Sequence, residues 1–158
     1  MPFWLMKSEP DEMSIDDLAR LPRKTAPWTG VRNYTARNFM RDAMAVGDLA
    51  FFYHSSCPEP GIAGVVRIFA PAHPDETQFD PTSDYYDAKA TRAAPRWQCV
   101  DVTFVEKTRL VSIAEMRATR ALAGMMTLQR GNRLSITPVT DGEWKAVLKL
   151  AASRPKAR

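Results

Sequence analysis

"VGDLAFFYHSSCPEPGIAGVVRIFA", residues 46–70, holds two apolar runs separated by a linker that carries two prolines. A turn at Gly47–Asp48 opens the first run and Gly61 opens the second. The spacing predicts two strands joined by a connection too irregular for a two-residue hairpin turn. Working outward, "FWLMK" (3–7) reads as a short strand ended by Ser8 and Pro10. "RWQCVDVTFVEKT" (96–108) alternates, with Trp97, Cys99, Asp101, Thr103 and Val105 on one side and Val100, Val102 and Phe104 on the other. "RLSITPV" (133–139) is a late strand expected to stop at Pro138.

Helices punctuate these strands. Ser14, followed by acids, caps a short helix; Asn33 or Tyr34 opens another that runs to about Met44; Ser112 and Thr140 each precede a glutamate three residues on, the spacing of a capping box. A further helical turn is expected around Leu122–Met126. After Thr140, Trp144, Val147, Leu148 and Ala151 share one helical face. The stretches 22–30 and 71–95 are rich in proline and small polar residues and read as a loop and a long surface excursion. Strands and helices mix without regular βαβ alternation, which predicts one α+β domain over residues 1–152 whose curved sheet is able to close into a small β-barrel, followed by a short basic tail, 153–158.

The chain carries 22 Lys and Arg against 18 Asp and Glu, a formal charge of +4. Acids concentrate at Glu9, Asp11, Glu12, Asp16 and Asp17, and the cations Arg20, Arg23, Lys24, Arg32, Arg37 and Arg41 follow almost unopposed. Such a basic stretch suits phosphate binding as well as a solvated helix face. No window approaches the roughly 20 apolar residues of a membrane span, and the first residues lack the pattern of a secretory signal, so a cytoplasmic protein is expected. Two cysteines 42 positions apart, without a CxxC or His-rich context, and only two histidines give no expectation of a metal site or disulfide. Nucleotide-binding glycine motifs and a nucleophile elbow are missing from the sequence. No cofactor is expected.

What stands out is a set of aromatics and small polar groups near strand ends: Trp4, Lys7 and Ser8; Trp28 to Tyr34; and Tyr53, His54, Ser55 and Ser56. Flat rings and a few fixed donors and acceptors are the ingredients of a nucleobase pocket. Asn33 serves equally as a helix cap.

The segments "FWLMKSEPDEMSIDDL", "WTGVRNYTARNFMRDAMAVGDLAFFYHSSCPEPGIAGVVRI", "QFDPTSDYYD", "PRWQCVDVTFVEK" and "RLSITPV" together resemble the EVE domain from Phe3 to about Leu150. The resemblance implies a PUA-like fold, a small β-barrel flanked by helices, related to the YTH domains that read N6-methyladenine in RNA. It implies a non-catalytic reader of a modified base, with modified cytosine in DNA as the ligand class and RNA left open. Carried onto this chain, the base pocket is formed by Trp4, Lys7 and Ser8, by Trp28, Val31, Arg32 and Asn33, and by Tyr53, His54 and Ser55. The segment 129–135 closes one side with Arg130 and Ser135, and Arg37 and Arg41 hold phosphates. Nucleic acid is then the partner and a monomer the favoured state. Two other readings compete: a ribonuclease like some ASCH domains, drawing acid and base groups from Lys7, Glu9, Tyr53 and His54, and a sensor of a free nucleotide or other small molecule.

Overall fold

The computed structural model describes residues 2–153. Its strands are β1 (Phe3–Ser8), β2 (Thr25–Pro27), β3 (Leu49–His54), β4 (Gly61–Pro74), β5 (Gln98–Ser112) and β6 (Ile136–Val139). Its α-helices are α1 (Ile15–Arg20), α2 (Tyr34–Asn38), α3 (Ile113–Arg117) and α4 (Asp141–Ala152). Hydrogen bonding orders the strands β2-β5-β4-β3-β1-β6. β1 runs parallel to β3, and the other pairs are antiparallel. Pairing begins at β2 and ends at β6 among the described residues, so the α+β class stands while the expected closed barrel is replaced by an open, mixed sheet.

The sheet bends instead of closing. Register shifts interrupt the β4–β5 ladder at four places, and each inserted residue raises the local twist. Gly64 marks one of them: a Cβ there would lie 2.6 Å from the Glu106 carbonyl oxygen and 2.8 Å from Ile15 Cδ1. Only a residue without a side chain lets β5 and α1 approach so closely.

Alternation along the central strands divides the apolar residues between two cores. Trp4, Met6, Phe52, Val66, Ile68, Val100 and Val102 face α1, α2 and Trp28. Leu5, Phe51, Val65 and Val111 face α3 and α4, where Trp144 stacks on Phe51 at 3.9 Å and on Phe3 at 4.3 Å. Burying one such phenyl ring contributes roughly 2–3 kcal/mol.

Several helix starts follow the predicted capping chemistry. Ser14 with Asp17 and Thr140 with Glu143 form reciprocal boxes. Ser112 accepts from the Glu115 amide, while the Glu115 carboxylate takes a two-pronged bond from Arg109 at 2.9 and 2.7 Å. Three expectations need correction. Thr25–Pro27, read as loop, is a three-residue strand on β5; proline is tolerated because the strand lies at the sheet's end. The single helix expected to Met44 is α2 followed by a π-turn over Phe39–Ala43, closed by the Met44 amide on the Phe39 carbonyl. Pro138 does not stop β6, which continues to Val139. Beyond Ser153, the expected basic tail lies outside the described residues.

Candidate nucleic-acid interface

β1 ends at Lys7 and Ser8, and there the sheet opens onto a cavity of about 570 Å³. Its walls include Lys7, Ser8, Trp28, Val31, Arg32, Asn33 and Ser135, together with Glu9, Glu12, Gly30 and Tyr85. Backbone bonds fix these walls. The Lys7 amide donates to the Ser135 carbonyl at 2.8 Å, the Trp28 amide to the Val100 carbonyl at 2.8 Å, and Ser8 Oγ to the Met13 carbonyl at 2.7 Å. The Trp28 ring, 4% exposed, stands edge-on to Phe52 with centroids 5.3 Å apart. It is therefore a core side chain that turns one boundary toward the cavity. Asn33 Oδ1 caps α2 by accepting from the Ala36 amide at 3.0 Å. No hydrogen bond among the described residues engages its Nδ2, so the residue that serves as cap keeps its two amide N–H donors at the cavity.

Tyr85 enters this site from the surface excursion, in the segment "QFDPTSDYYD", whose sequence gives the ring no role in a pocket. Its ring packs over Gly30, whose φ of +85° and lack of Cβ make room: a Cβ would meet the ring at 2.7 Å. Its hydroxyl donates to Glu12 Oε1. Burial, then the Glu12 bond, pushes the phenol up to about 12, so it remains a donor at neutral pH. Asp75, buried, holds the same corner by accepting from the Gly30 amide, Arg32 Nη1, and both the amide and hydroxyl of Thr77.

Other predicted residues lie elsewhere or are already engaged. Trp4 sits four residues before Ser8, roughly 13 Å along an extended strand. It is buried against Phe39, and its indole donates to Asp48 at 3.1 Å. Tyr53 alternates onto the opposite sheet face and joins the second core. His54 is on the expected face, yet its Nε2 accepts the Ile15 amide at 3.1 Å, satisfying the first free N–H of α1. Desolvation holds the imidazole below its ordinary range. Ser55 donates its amide to the Ser8 carbonyl and does not line the cavity. Exposed Arg130 lies outside it too.

The cations differ sharply from one another. Arg32 lines the cavity, but its Nε and both Nη atoms donate to Tyr85 O, Val31 O, Asp75 Oδ2 and Thr77 Oγ1. A guanidinium has five N–H donors, and five bonds occupy them. Arg32 is thus a structural post and has no donor left for a ligand. Arg41 is forked onto Asp42 at 2.8 and 2.9 Å, so its charge is already matched. Arg37 makes no ion pair among the described residues; it donates to Asn38 Oδ1 and the Arg96 carbonyl, and its Cζ stands 4.6 Å from the Tyr34 ring centroid. Lys7 also makes none; its Nζ sits 5.6 Å from the Tyr53 centroid, and partial burial lowers its pKa.

Cys57 and Cys99 are free thiols. Cys99 lies 3.8–3.9 Å from both ring nitrogens of His73, which bonds Asp101 at 2.8 Å. Sulfur near both nitrogens lies against the ring rather than along one lone pair, and burial pushes the thiol up to about 12. A thiol so held is inert. Of the acid–base set weighed for a ribonuclease, Lys7 and Tyr53 lie together, while His54 points away from Tyr53 and is engaged by α1. Among the described residues, no group of three His, Cys, Asp or Glu side chains is placed to hold a metal, and no helix is long and apolar enough to cross a membrane.

Comparison with known proteins converges on one family. The EVE domain model matches residues 2–150. Thymocyte nuclear protein 1 from Homo sapiens is 44% identical over 169 residues, covering 96% of this chain and 75% of that protein. The crystal structure of the human THYN1 protein in complex with 5-methylcytosine-containing DNA matches with a TM-score of 0.93 at 42% identity, covering 98% of this chain and 100% of that one. A crystal structure from Pseudomonas putida matches at 51% identity and a TM-score of 0.89, covering 94% and 99%. An ASCH protein from Zymomonas mobilis, at 7% identity and a TM-score of 0.55, shares the fold alone.

Proposed function

Because the chain belongs to the EVE domain family, we propose that it is a non-catalytic DNA-binding module that receives one modified cytosine, swung out of its helix, in the cavity at the end of β1. The reading is carried by the similar human protein solved with 5-methylcytosine-containing DNA, taken together with a cavity at the strand end. The lining suits a base. Trp28 and Val31 offer apolar surface and Asn33 Nδ2 a donor, while Lys7 lines the wall with its Nζ over the Tyr53 ring. Glu9 and Glu12 supply carboxylates suited to accept from the exocyclic amine that cytosine carries and thymine lacks.

Energetics set what the cavity has to achieve. Extruding a base costs a few kcal/mol, and stacking on a ring returns roughly 1–3 kcal/mol. A buried methyl adds about 0.8 kcal/mol, a preference of about fourfold. Larger selectivity requires a hydrogen bond that the wrong base leaves unmade.

Fluorescence anisotropy on matched single- and double-stranded oligonucleotides tests the reading, with cytosine, 5-methylcytosine, 5-hydroxymethylcytosine, thymine or N6-methyladenine at one position. The expected result is a preference for a modified cytosine that survives a rise in salt. Equal affinity for every base, erased by salt, would overturn it. Trp28→Ala is unsuited to this purpose: truncating a buried Trp costs about 3–5 kcal/mol of stability. Trp28→Phe keeps the core and is expected to weaken binding.

A further inference from the structure

Beside the cavity, five side chains form a ladder of rings and guanidinium groups that the reading above leaves unused. Tyr34 stacks on Trp97, centroids 4.8 Å apart and planes within 17°. Arg32 lies 5.2 Å from the Trp97 centroid, and Arg37 lies 4.6 Å from that of Tyr34. Arg96 Nη2 donates to the Tyr34 hydroxyl at 2.5 Å and is itself paired with Asp87 at 3.3 Å. Trp97 is anchored in turn, its indole donating to Asp87 at 2.9 Å. A phenol held at its face and at its tip has little rotamer freedom left to lose.

Yet Tyr34 is 46% exposed. Arg37 does not cover its outer face: Arg37 Cζ also lies 6.0 Å from the Trp97 centroid, whereas a group beyond Tyr34 would stand nearly the sum of the two spacings away. The ring thus has one face packed on Trp97 and is nearly half exposed, with the Arg37 guanidinium beside it; Arg37 donates to Asn38 Oδ1 and the Arg96 carbonyl, which leaves one hydrogen on each Nη atom and no carboxylate partner among the described residues. Tyr34 directly follows Asn33, a cavity residue, and neighbouring Cα atoms are about 3.8 Å apart. The nucleotide next to the one in the cavity is joined to it by a single phosphodiester, so it passes close to the wall beside which the Tyr34 ring stands.

We propose that Tyr34 is a stacking platform for the nucleobase adjacent to the one in the cavity, on the same strand, with Arg37 taking the intervening phosphate. The assignment rests on the DNA-binding reading and extends it to a second nucleotide. Aromatic stacking tolerates any base, so this subsite contributes affinity without reading sequence at that position.

The test uses short single-stranded oligonucleotides with one central 5-methylcytosine and either a natural base or an abasic residue on each side in turn. Removing the base on one side is expected to weaken wild-type binding about tenfold, and Tyr34→Leu to lose a similar factor with the intact oligonucleotide. The abasic change should then have no further effect on Tyr34→Leu. Tyr34→Phe keeps the ring, lacks only the bond from Arg96, and should bind within about threefold of wild type. Wild-type indifference to abasic residues on both sides overturns the platform, as does Tyr34→Leu binding like wild type. Should Tyr34→Leu fail to fold, the wild-type abasic series and Tyr34→Phe still decide. Failure of the wild type to bind any of these oligonucleotides is a separate result that overturns the DNA reading itself.

Discussion

At the scale of single residues, the arginine expected to touch a ligand is the one least free to do so. Arg32 spends its donors on Asp75, Thr77, Val31 and Tyr85, tying the loop before α2 to the long excursion. Lysine offers three donors from a point charge and cannot reproduce that fork. Arg32→Lys or Arg32→Ala is therefore expected to lower unfolding stability by about 3 kcal/mol, read from urea midpoints, since Asp75 is left buried with its partner impaired. His54 makes a second prediction. Its Nε2 must be unprotonated to accept the Ile15 amide, and its folded pKa is depressed by desolvation. The unfolded chain takes up a proton near pH 6.5 while the folded one resists. That contribution is complete above this pH and is lost as pH falls toward the lower folded value. The urea midpoint should drop between pH 7.5 and pH 5, and His54→Gln, whose amide oxygen can accept the same bond, should remove most of the change.

At the scale of elements, close approach decides which glycines matter. Gly64→Ala pushes a methyl into the Glu106 carbonyl and Ile15, and an overpacked site of this kind costs about 1–3 kcal/mol. Gly124→Ala meets nothing within 4 Å and should leave stability unchanged or slightly raised, so paired thermal melts separate the two. Much of the fold was legible because it is written in local signals. The apolar runs of β1 and β3, the caps at Ser14, Ser112 and Thr140, and the apolar face of α4 are all local. β2 was not, since three residues ending in proline carry no period, and the π-turn differs from an α-helix by one inserted residue. The site was half legible. Lys7, Ser8, Trp28, Val31, Asn33 and Ser135 do meet at one cavity. Trp4 lies too far back along the strand, and Tyr53 is buried in the second core beneath Lys7. Tyr85 comes from a segment whose sequence gives no hint of where it folds back.

At the scale of the whole molecule, the net charge of +4 overstates the electrostatic reach of the candidate interface. Arg32 and Arg41 are matched by carboxylates, which leaves Lys7 and Arg37 as the cations there without ion pairs among the described residues. Each phosphate neutralised on duplex DNA steepens the salt dependence by about 0.9. The slope of log affinity against log salt is expected near −2, and a slope of about −6 or steeper would mean that other surface cations carry the binding. The open sheet has its own consequence. β4 and β5, of 14 and 15 residues, lie inside it, while the outermost strands have only three and four. Each of those short strands contains a proline, Pro27 or Pro138, which has no amide hydrogen to offer. A visiting strand from another copy finds only a brief and interrupted ladder on β2 or on β6. At its two terminal strands the unclosed sheet offers no long template on which amyloid-like stacking could grow.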